Sequence, residues 1–296
     1  MKLKILTIFF AIFTTFSSPA LAKINIFTCE PEWRSLAQQI AGDNAIYFSA
    51  TNSNQDPHHI RAKPSLIAKI IKADLLICTG ADLEVGWLPL LLDKAKKDLQ
   101  NGQIGNIMAA NFVETIQKPK IIDRSMGDVH PHGNPHIHLD PKNILPIAKE
   151  IKNRLQKIDS KNQIIYQNNY NNFSQKWQKS IIKWQKKAKN LKNINIISHH
   201  RSFSYLFKWL NINEIATLEP KPGINPSPKH LKSIWELTKN TEIKFIIRAN
   251  HEQKKASDWL HKRSQITTLS LPITIDKNQN LFDLFDNIID NLIELL

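Results

Sequence analysis

The stretch "KINIFTCEPEWRSLAQQIAGDNAIYFSA", residues 23–50, decides the fold. "KINIFTC" reads as a strand, "EWRSLAQQIAG" as an amphipathic helix and "AIYFSA" as a second strand. The same rhythm continues outward. "SLIAKIIKA" reads as a helix with Pro64 and Ser65 as start signals, and "DLLICTG" as a third strand. After residue 190 a second set begins: strand "INIIS", helices "SFSYLFKWL" and "PKHLKSIWELTKN", strand "KFIIRA", helix "QKKASDWLHKR" and a terminal helix "LFDLFDNIIDNLIELL". Strands alternating with helices imply an α/β fold of two parallel-sheet lobes.

Between the two sets the period changes. Tyr166, Tyr170, Phe173, Trp177, Ile181, Trp184, Ala188 and Leu191 make one apolar stripe at helical spacing. At about 1.5 Å per residue such a helix reaches roughly 40 Å, the length of both lobes. A preceding helix, "PKNILPIAKEIKNRLQKI", has Asp140 and Pro141 as cap and first residue, with Pro146 disturbing its first turns. The expected organisation is a signal peptide over 1–22, an N-terminal α/β lobe over 23–142, connecting helices including the long backbone helix over 143–192, and a C-terminal α/β lobe over 193–296.

The opening "MKLKILTIFFAIFTTFSSPALA" has a basic start, a short apolar core and an Ala-Leu-Ala end. That order predicts a secretory signal peptide and a soluble periplasmic protein. No cysteine stands at the cleavage point, so no lipid anchor is expected there. The net charge is +14, spread over Lys- and Asn-rich surfaces without a dense basic block, so no nucleic-acid partner is expected. Cys29 and Cys78 both end expected strands. In an oxidising compartment a bridge and two free thiols are both open, and without a CxxC spacing a cysteine zinc site is disfavoured.

The chemistry lies in eleven histidines. His58 and His59 precede a helix, and His136 and His138 precede the Asp140 cap. His199 and His200 end a strand, and His251 with Glu252 ends another. Ligands of parallel sheets bind at the carboxyl ends of strands, and facing lobes would join these loops. His58, His136, His200 and Glu252 are the candidate ligands. Three imidazoles and a carboxylate suit Zn²⁺, and Mn²⁺, which favours oxygen, less. His59, His138, His199 and His251 are neighbours able to exchange with them or to orient them. His130 and His132 read as a short outer loop, and His138 as facing away if the backbone is extended. His230 and His261 read as surface or core-edge residues on amphipathic helices. Glu219, in a rigid Pro-rich loop, either faces the cleft or shapes a turn.

The set "DPH…KPS…ADLLICTGADLE", "NPHIHLDP", "HHRSFSYL" and "LEPKPGINPSPKHL" resembles the zinc/manganese solute-binding proteins of ABC transporters over essentially the whole chain after residue 22. The resemblance implies two lobes about a rigid helix, metal captured between them and handed to a permease. It also implies ligands at His58 after Asp-Pro, His136 after Pro135, His200 before Phe203, and Glu252 in the last strand–helix loop. Unlike many zinc members, this chain has only the short "GDVHPHGNPH" in place of a long His-rich loop. The expected function is zinc delivery to an ABC importer by a monomer that is not an enzyme. A zinc hydrolase is the main rival, but no HExxH helix is present and four protein ligands leave little room for an activated water. A stand-alone metal chaperone or adhesin of the same fold is the other.

Overall fold

The computed structural model describes residues 23–119 and 130–294. The expected signal peptide lies outside the described residues. Strands β1 (Ile24–Thr28), β2 (Ala45–Ser49), β3 (Leu75–Cys78) and β4 (Asn106–Met108) form one all-parallel sheet in the order β2-β1-β3-β4. Strands β5 (Asn195–Ser198), β6 (Asn213–Thr217), β7 (Phe245–Ala249) and β8 (Thr268–Leu271) form a second in the order β6-β5-β7-β8. The orders correspond position for position, so the lobes repeat one topology. In both, the chain reverses its direction of progress next to the first strand, which opens a crevice at the strand ends.

The central strands are buried on both faces, as near-continuous apolar runs require. Ile26, Phe27, Leu75, Leu76 and Ile77 are buried in the first lobe, and Ile196, Ile197, Ile246 and Ile247 in the second. Pairing of Thr28 with Ile77 sets Cys29 beside Cys78, with Cα atoms 4.8 Å apart, and the two form a disulfide.

Helix α1 (Pro31–Ala41) follows β1, and α2 (Pro64–Ile70) and α3 (Leu88–Leu92) flank the first sheet. Helix α4 (Pro141–Ile158) is capped by the Asp140 carboxylate, which accepts from the Lys142 N–H, and it continues through Pro146. The long helix α5 (Gln163–Lys187) gives way to a 3-10 turn over Lys189–Leu191, which carries the end of the apolar stripe. Tyr166, Phe173, Trp177, Trp184, Ala188 and Leu191 are buried. Trp177 also donates its indole N–H to the Pro141 carbonyl at 2.7 Å, which fixes α4 on α5.

The second lobe adds α6 (Ser204–Leu210), α7 (Pro228–Asn240) and α8 (Lys255–Ser264). Helix α9 (Leu281–Glu294) returns to the backbone helix, where Phe285 stacks on Trp184 with centroids 4.9 Å apart. Its Leu281 N–H donates to Ser35 of α1. The segment leading to α9 also ties the lobes, because Thr274 donates to Glu32 at 2.5 Å and Ser53 to Asp276. One apolar cluster therefore runs from β1 and α1 through α4, α5 and α9 into β5 and β7. No helix among the described residues is long and apolar enough to cross a membrane.

Candidate metal centre

Four imidazoles converge where the strand-end loops of the lobes meet. Ring centroids lie 6.0 Å apart for His58 and His136, 5.7 Å for His136 and His200, and 6.4 Å for His58 and His200. His130 joins them, with its centroid 5.0 Å from that of His58 and its Nε2 3.0 Å from His58 Nε2. Four nitrogens about 2.0–2.1 Å from a tetrahedral Zn²⁺ stand roughly 3.3 Å from one another, and their ring centroids roughly 5 Å apart. The observed centroid spacings of 5.0–6.4 Å are wider than that, so the rings must draw in to grip an ion.

Each ring is held by a local device. Asp56 caps a 3-10 turn by accepting from the His58 N–H at 2.9 Å, and the same oxygen takes the His58 Nδ1 proton at 2.7 Å. An ionised carboxylate only accepts, so the proton sits on Nδ1 and the Nε2 lone pair faces the cup. Burial works against the Asp56 charge, yet the His58 hydrogen bond holds its carboxyl well below the usual range. In the other lobe Glu219 does the same for His200, accepting from Nδ1 at 2.7 Å and from the Gly223 N–H at 2.9 Å. Such carboxylate–imidazole pairs fix ring orientation and raise ligand basicity.

His136 is aimed by Asn134, whose side-chain oxygen accepts the His136 N–H at 2.9 Å. Asn134 in turn donates to the Arg201 carbonyl and receives the Tyr205 hydroxyl on its own carbonyl, each at 2.8 Å, which binds this loop to the second lobe. The buried His136 Nε2 has no hydrogen-bond partner among the described residues. His130 enters through a turn closed by the Gly133 N–H on its carbonyl at 2.9 Å. Gly133 has φ 101°, and a Cβ there would stand 2.8 Å from the Ile116 carbonyl, so only glycine closes this turn without strain.

The electrostatics divide by lobe. Burial, reinforced by the neighbouring rings, depresses His136 well below the usual histidine range and brings His130 down to about 4. Burial also works against a charged His200, but the Glu219 hydrogen bond and charge, with Glu252 and Asp56, raise it. Glu252 lies by His200, and burial pushes it up to about 7. Its carboxylate accepts from the Ala249 N–H at 2.8 Å and the Ser202 hydroxyl at 3.2 Å.

The sequence-predicted residues thus occupy two positions. His58, His136 and His200 meet in the cup, while Glu252 stands at its second-lobe wall with its oxygens engaged by its own loop and Ser202. His130, read from the sequence as outer loop, is within the cup; the signal for it is the turn-forming His-Pro-His-Gly at 130–133. His138 faces away, against the Ile273 carbonyl at 2.8 Å and 3.3 Å from Glu32. His132 is exposed and pairs with Asp82. His230 and His261 bond to the Thr217 and Ile266 carbonyls, outside the cup. A cavity of about 390 Å³ and another of about 740 Å³ border the cup and share His136, His200 and Glu219.

Comparisons with known proteins bear on the family and the fold. The sequence model of the family described as "Zinc-uptake complex component A periplasmic" matches residues 26–295. The metal ABC transporter substrate-binding lipoprotein SloC of Streptococcus mutans is 24% identical over 216 residues, 71% of this chain and 68% of that protein. The manganese ABC transporter substrate-binding lipoprotein PsaA of Streptococcus pneumoniae is 23% identical over 257 residues, 85% and 80% of the two chains. Among solved structures, ZnuA superposes with TM-score 0.76 at 18% identity, covering 93% of this chain and 99% of that one. A Cd-bound periplasmic metal-binding protein of Candidatus Liberibacter asiaticus gives 0.75 at 18% identity, covering 92% and 99%. Proteins of this family are solute-binding components that work with a permease and an ATPase, and they are not enzymes. The chain belongs to the zinc-uptake component A family of metal-type ABC transporter solute-binding proteins.

Proposed function

We propose that this protein is a periplasmic zinc-binding protein that delivers Zn²⁺ to an ABC importer. The observation that carries the reading is the convergence of four imidazoles, two of them oriented by carboxylates. An all-nitrogen cup suits a borderline cation such as Zn²⁺, whereas Mn²⁺ favours oxygen. In this reading His58, His136 and His200 hold the ion and His130 fills the fourth position. Glu252, the fourth ligand expected from the sequence, serves as a counter-charge beside His200, with its oxygens accepting from Ala249 and Ser202. The same reading has residues 1–22 direct export and the chain act as a monomer.

The name of PsaA points to manganese for that relative, and Mn²⁺ would here require Glu252 to leave its hydrogen bonds and replace His130. Competition titration of the metal-free protein separates the two. Zinc should bind tightly at one equivalent and resist a large excess of manganese. Displacement of zinc by comparable manganese would overturn the zinc assignment.

A further inference from the structure

The loop between β3 and α3, "TGADLEVGW" over 79–87, reaches both of the turns that carry His58 and His130. Gly80, Ala81 and Asp82 stand in succession in the left-handed region, with φ 75°, 49° and 66°. Glycine adopts that region freely, but Ala81 and Asp82 carry strain there that the surroundings must hold. The buried Glu84 carboxylate holds it, accepting from the Thr79 N–H at 2.7 Å and the Gly80 N–H at 3.0 Å. Buried Glu30 adds to the grip by accepting the Thr79 hydroxyl at 3.0 Å. At the other end of the loop the Trp87 indole donates to the Pro57 carbonyl at 2.9 Å, next to His58.

The strained run aims the Asp82 carboxylate at the His130 turn. One Asp82 oxygen lies 2.8 Å from the His132 ring Nδ1 and accepts the His132 backbone N–H at 3.3 Å. The Thr115 hydroxyl donates to the His132 carbonyl at 2.6 Å, so this residue is gripped at both of its backbone groups. The Asp82 charge also acts on the His130 ring, against the burial and the His58 ring that depress it. An exposed ion pair adds little to stability, and the His132 side chain is 75% exposed. Strain maintained for so weak a contact points to positioning rather than to folding. Asp82, Pro131 and His132 also line a cavity of about 620 Å³, so that side of the turn faces open space and depends on the clasp.

We propose that Asp82 is a positioning residue of the metal centre: by clasping His132 it holds the His130 turn in place and presents His130 as the fourth imidazole. The proposal rests on the reading of the cup that puts His130 in the fourth position. Asp82 makes no contact with the ion and acts through His130, so its effect is bounded by what His130 itself contributes. Residues that orient a ligand in this way tune a metal site without touching the metal.

The test is a double-mutant cycle in zinc affinity, read by chelator competition, with zinc-edge X-ray absorption on each variant. Asp82→Ala should weaken zinc by up to about tenfold and bring the imidazole scattering down toward that of His130→Gln. In the His130→Gln background the same substitution should change affinity by less than about twofold. His132→Ala opens the clasp from its exposed end, without touching the strained run, and should follow the same pattern. Asp82→Asn keeps an acceptor and tolerates the left-handed backbone, so it should retain most of the affinity and the full imidazole scattering. Equal losses from Asp82→Ala in the two backgrounds would make it a distant charge or a general effect on the fold and overturn the proposal. Unchanged affinity and scattering in both Asp82→Ala and His132→Ala would overturn it as well, with the cup intact. If His130→Gln itself changes neither affinity nor scattering, the reading that puts His130 in the cup is what fails, and the clasp falls with it.

Discussion

The two lobes share one strand order but contribute differently to the cup. The first supplies His58, His130 and His136, two of them with depressed basicity, on a loop and two turns pinned by Asp56, Gly133 and Asn134. The second supplies only His200, with Glu219 and Glu252 around it, and there the imidazole is made more basic. Duplicated topology fixes where loops meet, and the residues on them decide what each side does. The first lobe offers lone pairs ready for metal. The second offers the charge that draws a cation in and a proton that the cation must displace.

Removing the buried first-lobe donor His136 should have the largest effect. His136→Ala takes away the most buried ring of the cup and is expected to weaken zinc by more than about 100-fold in chelator-competition titrations. The orienting carboxylates come next. Asp56→Asn and Glu219→Gln leave every donor in place but release a ring, and each should cost on the order of 10–100-fold. Equal losses would mean that orientation alone matters. A larger loss for Glu219→Gln would show the added weight of charge on the second lobe.

The proton sharpens the contrast further. Because His200 is raised above the usual histidine value, zinc must expel its proton as pH falls through the histidine range. Affinity should then drop by up to about tenfold per pH unit, one proton being released per ion. His136 and His130, already neutral, add nothing in that range. Calorimetry in buffers of different ionisation enthalpy counts this proton, and His200→Ala should reduce the count while His130→Gln keeps it. His130→Gln itself should cost roughly tenfold or less, since water can take the fourth position. The disulfide should matter least to binding. Cys29→Ser/Cys78→Ser opens a link across 49 residues and should lower stability to denaturant by about 2–4 kcal/mol, with zinc affinity unchanged.

Much of this organisation was legible in the chain. The buried central strands announce themselves as apolar runs, and the aromatic stripe of α5 as a helical period. Strands β4, β6 and β8 were not legible, because "NIM", "NEIAT" and "TLSL" are short, partly polar and carry little pattern of their own. At the site, the strand-end histidines pointed to His58, His136 and His200 through their topological positions. His130 was hidden because its place depends on the turn at Gly133 rather than on a strand end. The role of Asp56 was hidden in the same way, since a cap that also grips a ring is a matter of three-dimensional approach. Glu252 carries the right residue type in the right loop, and the hydrogen bonds it accepts there from Ala249 and Ser202 are invisible in sequence.

The central claim is that the ion is held by imidazoles drawn mainly from the first lobe. Zinc-edge X-ray absorption on protein loaded with one equivalent reads this directly. The account predicts a four-coordinate ion with nitrogen at about 2.0–2.1 Å and the outer-shell scattering of at least three imidazoles, falling by one in His130→Gln. A spectrum dominated by oxygen, with two imidazoles or fewer, would contradict it.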